Sequence, residues 1–105
     1  MVLNMMKLKK PRVQPDTFVC LDDKEKNLLV TVGLPGVKKA DIDLRMRDDV
    51  IYVKAQKNDV EFFGHIHSAE KFYPRRAKAS FQNGLLNIKI PLKEKKPPAL
   101  KIKID

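Results

Sequence analysis

The stretch AKASFQNGLLNIKIP, Ala77 to Pro91, holds two apolar-alternating runs separated by Asn83-Gly84. Ala77, Ala79 and Phe81 share a face before the break, and Leu86, Ile88 and Ile90 share one after it. Asn-Gly accepts the left-handed backbone that a tight reversal requires. The stretch therefore reads as a β-hairpin turning at Asn83 and Gly84. A slip of one residue would send each apolar set to water, so the turn fixes the register. The small alanines of the first strand leave shallow relief where a bulkier chain has room to sit.

Working back along the chain, the same period of two recurs, as it does in half-buried strands. TFVCL (17–21) alternates Phe18 and Cys20 against Val19 and Leu21, and NLLVTVGL (27–34) puts Leu28, Val30 and Val32 together. DIDLRMR (41–47) sets Ile42, Leu44 and Met46 against Asp43, Arg45 and Arg47. VIYVKA (50–55) aligns Ile51, Val53 and Ala55, and VEFFGHIH (60–67) is less regular, with Gly64 expected at a bulge. Pro35-Gly36, Asp48-Asp49 and Lys57–Asp59 are turn signals. SAEKFYPRR (68–76) reads as a loop, and GVKKADI offers at most one helical turn. Turns spaced by about 8–12 residues with almost no helix signal predict an all-β sandwich or barrel. Two sheets that each bury one face explain why the strands alternate rather than run continuously apolar.

The chain has 105 residues, which favours one domain. At 43% hydrophobic and 33% charged residues its composition is that of a folded protein, not a disordered one. No apolar run approaches the roughly 18 residues of a membrane span, so no membrane role is expected. MVLNMMKLKK places its charges after a short apolar stretch, the reverse of a secretory signal. The lone Cys20 cannot form an internal disulfide, which predicts a reducing cytoplasm, and its strand pattern predicts a small core residue. The net charge of +9 raises the question of nucleic acid. Yet the basic residues are scattered and not interleaved with aromatics, so they read as solvated faces and no nucleic-acid partner is expected.

Three regions follow. Residues 1–15 form a short arm whose Pro11 and Pro15 break any continuous helix, 16–92 form the sandwich, and 93–105 form an extension. Pro97-Pro98 favour an extended backbone there. Beyond them Ile102 and Ile104 flank Lys103, so in a strand both isoleucines point the same way. Such a pair predicts a reversible plug, docking on its own domain or on a neighbouring subunit.

No catalytic constellation is present: there is no phosphate-cradling glycine loop, no Cys/His metal spacing and no flanked nucleophilic serine. Neither an enzyme activity nor a cofactor or metal is expected. His65 and His67, at i and i+2, share a strand face and are of the type that holds a metal, but Glu61 and Glu70 read as ordinary surface residues and supply no further ligands. Asp48-Asp49 are turn formers, since no further oxygen ligands follow at calcium-loop spacing.

The order of these elements resembles the small heat-shock protein (α-crystallin-type) family. The matching residues are Leu34-Pro35-Gly36-Val37 with Lys39, Asp41 and Ile42; then Ala79 with Asn83-Gly84-Leu85-Leu86 and Pro91; then Ile102-Lys103-Ile104. The resemblance covers about residues 16 to 105 and implies an all-β, immunoglobulin-like antiparallel β-sandwich of α-crystallin type, acting as an ATP-independent holding chaperone that binds partly unfolded polypeptides. It implies that the tail anchor Ile102 and Ile104 lodges in another subunit's groove. That groove lies between the strand bearing Ile42, Leu44 and Met46 and the strand bearing Ala77, Ala79 and Phe81, giving a dimer or larger assembly. The chain departs from the family in two places. Only Gln56 to Asp59 join the strands where many members carry an extra swapped strand, and the arm is short. The first departure supports an alternative, a co-chaperone or interaction module of CS-domain type with one defined partner.

Overall fold

The computed structural model describes residues 11–93 and 99–105. The first ten residues of the arm and the Pro97-Pro98 pair lie outside the described residues. Two four-stranded sheets face each other. The first sheet runs β1 (Arg12–Val13), β6 (Val60–His67), β5 (Val50–Lys57), β4 (Ile42–Met46). The second runs β2 (Thr17–Leu21), β3 (Asn27–Gly33), β8 (Leu85–Pro91), β7 (Lys78–Gln82). Neighbouring strands are antiparallel except β1, which lies parallel to β6. The single helical turn expected near GVKKADI is a 3-10 turn at Lys39–Asp41. No helix among the described residues is long and apolar enough to cross a membrane.

The core lies between the central strands. Leu28, Val30 and Val32 of β3 and Leu86, Ile88 and Ile90 of β8 meet Ile51, Val53 and Ala55 of β5. Leu34, Val37, Phe62 and Phe72 close its ends. Each large apolar side chain removed from water contributes roughly 1.5–3 kcal/mol. The alternating strands supply that burial because consecutive side chains point to opposite faces.

The β7–β8 hairpin turns at Asn83 and Gly84 as expected, with φ of 52° and 78°. Two consecutive positive φ values are those of a two-residue reversal matched to strand twist. The register pairs Gln82 with Leu85 and sets Ala79 opposite Ile88 and Phe81 opposite Leu86. The Leu34 N–H donates to the Gly84 carbonyl at 2.7 Å, so the hairpin abuts the Pro35-Gly36 turn. Replacing Gly84 by Ala forces a Cβ onto a left-handed residue, at about 1–2 kcal/mol. Gly84→Ala is therefore expected to lower the midpoint of thermal unfolding by about 4–8 °C for each kcal/mol lost. Calorimetry on the two chains checks it.

Residues 11–17 cross from one sheet to the other. The Glu61 N–H donates to the Pro11 carbonyl (3.0 Å) in the first sheet, and the Gly33 N–H donates to the Asp16 carbonyl (2.8 Å) in the second. This crossover ties the β1 and β2 edges to one side of the sandwich. By elimination the β4 and β7 edges lie together on the other side.

Two expectations are corrected. Gly64 is not at a bulge, because β5 and β6 pair one to one, with Val53 opposite Gly64. Its missing side chain instead admits the buried Pro15, whose Cδ lies 3.3 Å from where a Cβ would stand. Cys20 is not a core residue. It lies opposite Leu29 on β3, whose inward residues are Leu28, Val30 and Val32, so the pairing turns Cys20 outward, where it is exposed. Alternation fixes which residues share a face but not which face is inside, and on an edge strand neighbours decide.

The segment read as a loop carries structure of its own. Phe72 is fully buried, its N–H donates to the Asp48 carbonyl (2.8 Å), and it bridges to Leu92. Asp48 and Asp49 do form the β4–β5 turn, and they also gather cations. Lys71 Nζ lies 3.5 Å from Asp48 and 3.4 Å from Asp49, and Lys93 Nζ lies 3.6 Å from Asp48. The hydrogen bond to Asp49 and the charges of both aspartates raise the Lys71 ammonium above its ordinary pKa. At the β2–β3 turn Asp22 accepts from Asn27 Nδ2 (2.7 Å) and from the backbone N–H groups of Lys26 and Asn27. The Asn27 side-chain bond, foremost, holds the Asp22 carboxyl below its usual range.

Candidate binding groove

The open side of the sandwich is built from two edge strands. On β4, Ile42, Leu44 and Met46 are half-buried and pack against the core, while Asp43 and Arg45 between them face out. Their parity comes from pairing with β5, where Ile42 lies opposite Ala55 and Leu44 opposite Val53. On β7, Ala79 and Phe81 face the same interior as Ile88 and Leu86, and Ala77 precedes them at the strand's entry. Phe81 and Ala77 pack partly on the core; Ala79 remains exposed. The six residues singled out by the sequence are thus brought to one side of the fold. β4 and β7 belong to different sheets, so no strand ladder closes the gap between them.

Among the described residues, β4 and β7 each have no strand on their outer side, so each edge offers backbone N–H and C=O groups beside an apolar row. That combination accepts an extended peptide, with main-chain bonds for affinity and alternate side chains for selectivity. A residue as small as Ala79 leaves space in the row. The tail anchor does not occupy this site in the single chain. Residues 99–105 lie outside any strand, with Leu100 80%, Ile102 75% and Ile104 92% exposed. The two halves of the expected contact, an open apolar side and a bare isoleucine pair, both exist on the molecule and are apart.

The other candidates fall elsewhere. His65 and His67 project from β6 on the outer face of the first sheet, across from Tyr52 and Val50 of β5. Among the described residues no group of three or more His, Cys, Asp or Glu is placed to hold a metal ion. Glu61 on that face is drawn between Arg12 (3.7 Å) and Lys54 (3.5 Å), and its Oε1 is buried with ion pairs but no hydrogen bond. Sequence reasoning missed the aromatic neighbours Tyr52 and Phe63 that surround His65; the cross-strand register that assembles them has no local signal. It also missed the apolar exposure of β2, where Phe18 is 73% exposed and Val19 and Leu21 are uncovered. The two-residue β1 at the same side is too short to roof them.

Comparison with known proteins accords with this architecture. A family model described as the Hsp20/alpha crystallin family matches residues 21–105. No curated protein matches the chain. Among solved structures, heat shock protein 16.0 from Schizosaccharomyces pombe superposes with a TM-score of 0.71 at 23% identity, covering 90% of this chain and 77% of that one. HSP18.5 from E. histolytica gives 0.69 at 19% identity, covering 88% and 99%. A small heat-shock protein from Xylella fastidiosa gives 0.65 at 18% identity, covering 87% and 95%. At these identities the likeness to the solved structures is one of fold.

Proposed function

The chain belongs to the Hsp20/alpha crystallin family, and from that membership we propose that it is an ATP-independent holding chaperone of the cytoplasm, binding partly unfolded polypeptides and limiting their aggregation under stress. The observation that carries the reading is the open side between β4 and β7, where Ile42, Leu44, Met46, Ala77, Ala79 and Phe81 line two edge strands. A non-native chain offers what such a site takes: extended backbone and exposed apolar side chains. The same chemistry is present at Ile102 and Ile104, so the tail of a second copy competes with client for the groove. Self-association through the tail then regulates access, giving a dimer or larger assembly at rest.

Energetics favour a reversible contact. Two isoleucines contribute roughly 3–6 kcal/mol gross on burial, against the ordering of several tail residues at about 1–2 kcal/mol each. The two terms nearly cancel, so main-chain bonds to the open strand edges leave a weak contact that a client can displace.

The test is aggregation of a heat-labile protein followed by light scattering, without nucleotide. Suppression that rises with the amount of chain is expected. Undiminished scattering at several-fold excess overturns the reading. The two-residue turn Asn58–Asp59 between β5 and β6 leaves no room for an exchanged strand and favours the second reading, a CS-type module with one partner. Capture of one defined protein, together with no protection of unrelated clients, would decide for it.

A further inference from the structure

The outer face of the first sheet carries a cluster that the groove does not use. Phe63, His65 and His67 project from β6, and Tyr52 projects from β5 opposite His65. The His65 and His67 rings lie 5.1 Å apart between centroids at 84°. Residues i and i+2 of a strand repeat every 6.6 to 6.8 Å or so, so these two rings lean towards each other. His65 is flanked by Tyr52 at 6.5 Å and Phe63 at 6.3 Å, and Phe63 is itself capped by the Arg12 guanidinium at 4.9 Å. The charged neighbours are engaged with one another: Arg12 and Lys54 with Glu61, and Arg45 with Asp43. Among the described residues neither imidazole makes a hydrogen bond or ion pair, so their nitrogens are unclaimed.

We infer that His65 and His67 form a two-imidazole chelate for a late first-row divalent ion, Zn2+ being the ion whose geometry they fit. With metal–nitrogen bonds of about 2.0–2.1 Å and about 1.2 Å from nitrogen to ring centre, two imidazoles on a tetrahedral ion have centroids about 5 Å apart, against about 4.5 Å at a right angle. The observed spacing is the tetrahedral one. Rotation of the rings about their side-chain bonds converges the nitrogens, and the strand backbone need not move. Both rings are on one face of a strand paired along its whole length with β5, which fixes their Cα positions. The remaining two positions of the ion face solvent, where water or the same histidine pair of a second copy completes them. The site lies on the outer face of the first sheet, whereas the groove residues face the interior, so metal occupancy and peptide binding are separate properties.

Calorimetric titration of the full chain with ZnCl2 tests this, alongside His65→Ala, His67→Ala and Cys20→Ser. All three replaced side chains are exposed, and circular dichroism confirms that each variant is folded. Zn2+ binding is expected in the unaltered chain and in Cys20→Ser. Loss of either imidazole forfeits an intramolecular second bond, so each histidine variant is expected to bind about a hundredfold more weakly. One ion per chain, or one per two chains with the same dependence on both histidines, supports the site. Binding in either histidine variant as tight as in the unaltered chain, binding abolished by Cys20→Ser, or no heat at millimolar zinc overturns it.

Discussion

Phe72→Ala is expected to remove about 3–5 kcal/mol of stability, the largest loss of any single substitution argued for this chain. The ring is fully buried although it lies in the segment between β6 and β7. It plugs the end of the sandwich where the β4–β5 turn, the connection after β6 and the end of β8 meet. Its N–H bonds the Asp48 carbonyl, and the Lys93 N–H bonds the Lys71 carbonyl beside it. These bonds hold the backbone on both sides of the ring, so the walls cannot collapse into the vacated space, and a cavity cost adds to the lost burial. A small domain has a total of about 5–15 kcal/mol, so the variant approaches the threshold of unfolding. Phe18→Ala is the control. Phe18 lies in a regular strand yet is exposed, and its removal is expected to stay within about 0.5 kcal/mol. Denaturant unfolding of both variants checks the contrast. Equal losses, or a larger loss at Phe18, would show that the end plug is misassigned.

That inversion marks where the sequence is legible. Strand existence and face parity were readable because they depend on neighbours two residues apart: Ile42, Leu44 and Met46 stay together whatever else the chain does. The hairpin was readable because Asn83-Gly84 encodes its own backbone. Phe72 was not, since it sits in a segment with no period, and its burial depends on three elements distant in sequence. Cys20 failed for a related reason. Its strand has correct alternation, but the choice of inward face is made by the register with β3. The short β1 at Arg12–Val13 has too few residues for any periodic signal.

The groove was half legible. Its two rows follow from parity, and the alanines gave the relief. That both rows lie on one open side depends on the 11–17 crossover, which ties the opposite edges together through the Pro11 and Asp16 carbonyls. Pro15 seated against Gly64 holds that crossover down. No local pattern announces such a tie. The outer-face histidine cluster is likewise a product of register, because His65 meets Tyr52 only once β5 and β6 are paired.

Replacing Ile102 and Ile104 together by Ala is expected to shift the chain to smaller species in sedimentation and to raise binding of an apolar surface dye. Both isoleucines are largely exposed in the single chain, so their removal costs the folded domain nothing, and any effect reports a contact between copies. If each tail contact is worth about 3 kcal/mol, its loss weakens association about a hundredfold. The dye signal rises because a groove without a plug leaves Ile42, Leu44 and Met46 open. The groove side gives an independent handle. Ala79 is exposed on the inward face of an edge strand, so Ala79→Leu fills the space the tail needs without disturbing the core. It is expected to lower self-association as the tail variant does. Combining the two changes should add no further loss, because both break one contact and the energies of a shared contact are not additive. Additive losses would place the tail at some other surface, and unchanged size and dye binding in the isoleucine variant would remove the docking altogether. Client protection in the same variants separates the two roles of the groove. The tail variant, with its groove freed, should protect a heat-labile client at least as well as the unaltered chain. Ala79→Leu, with its groove filled, should protect it less, and the opposite order would leave the β4–β7 side without a part in holding clients.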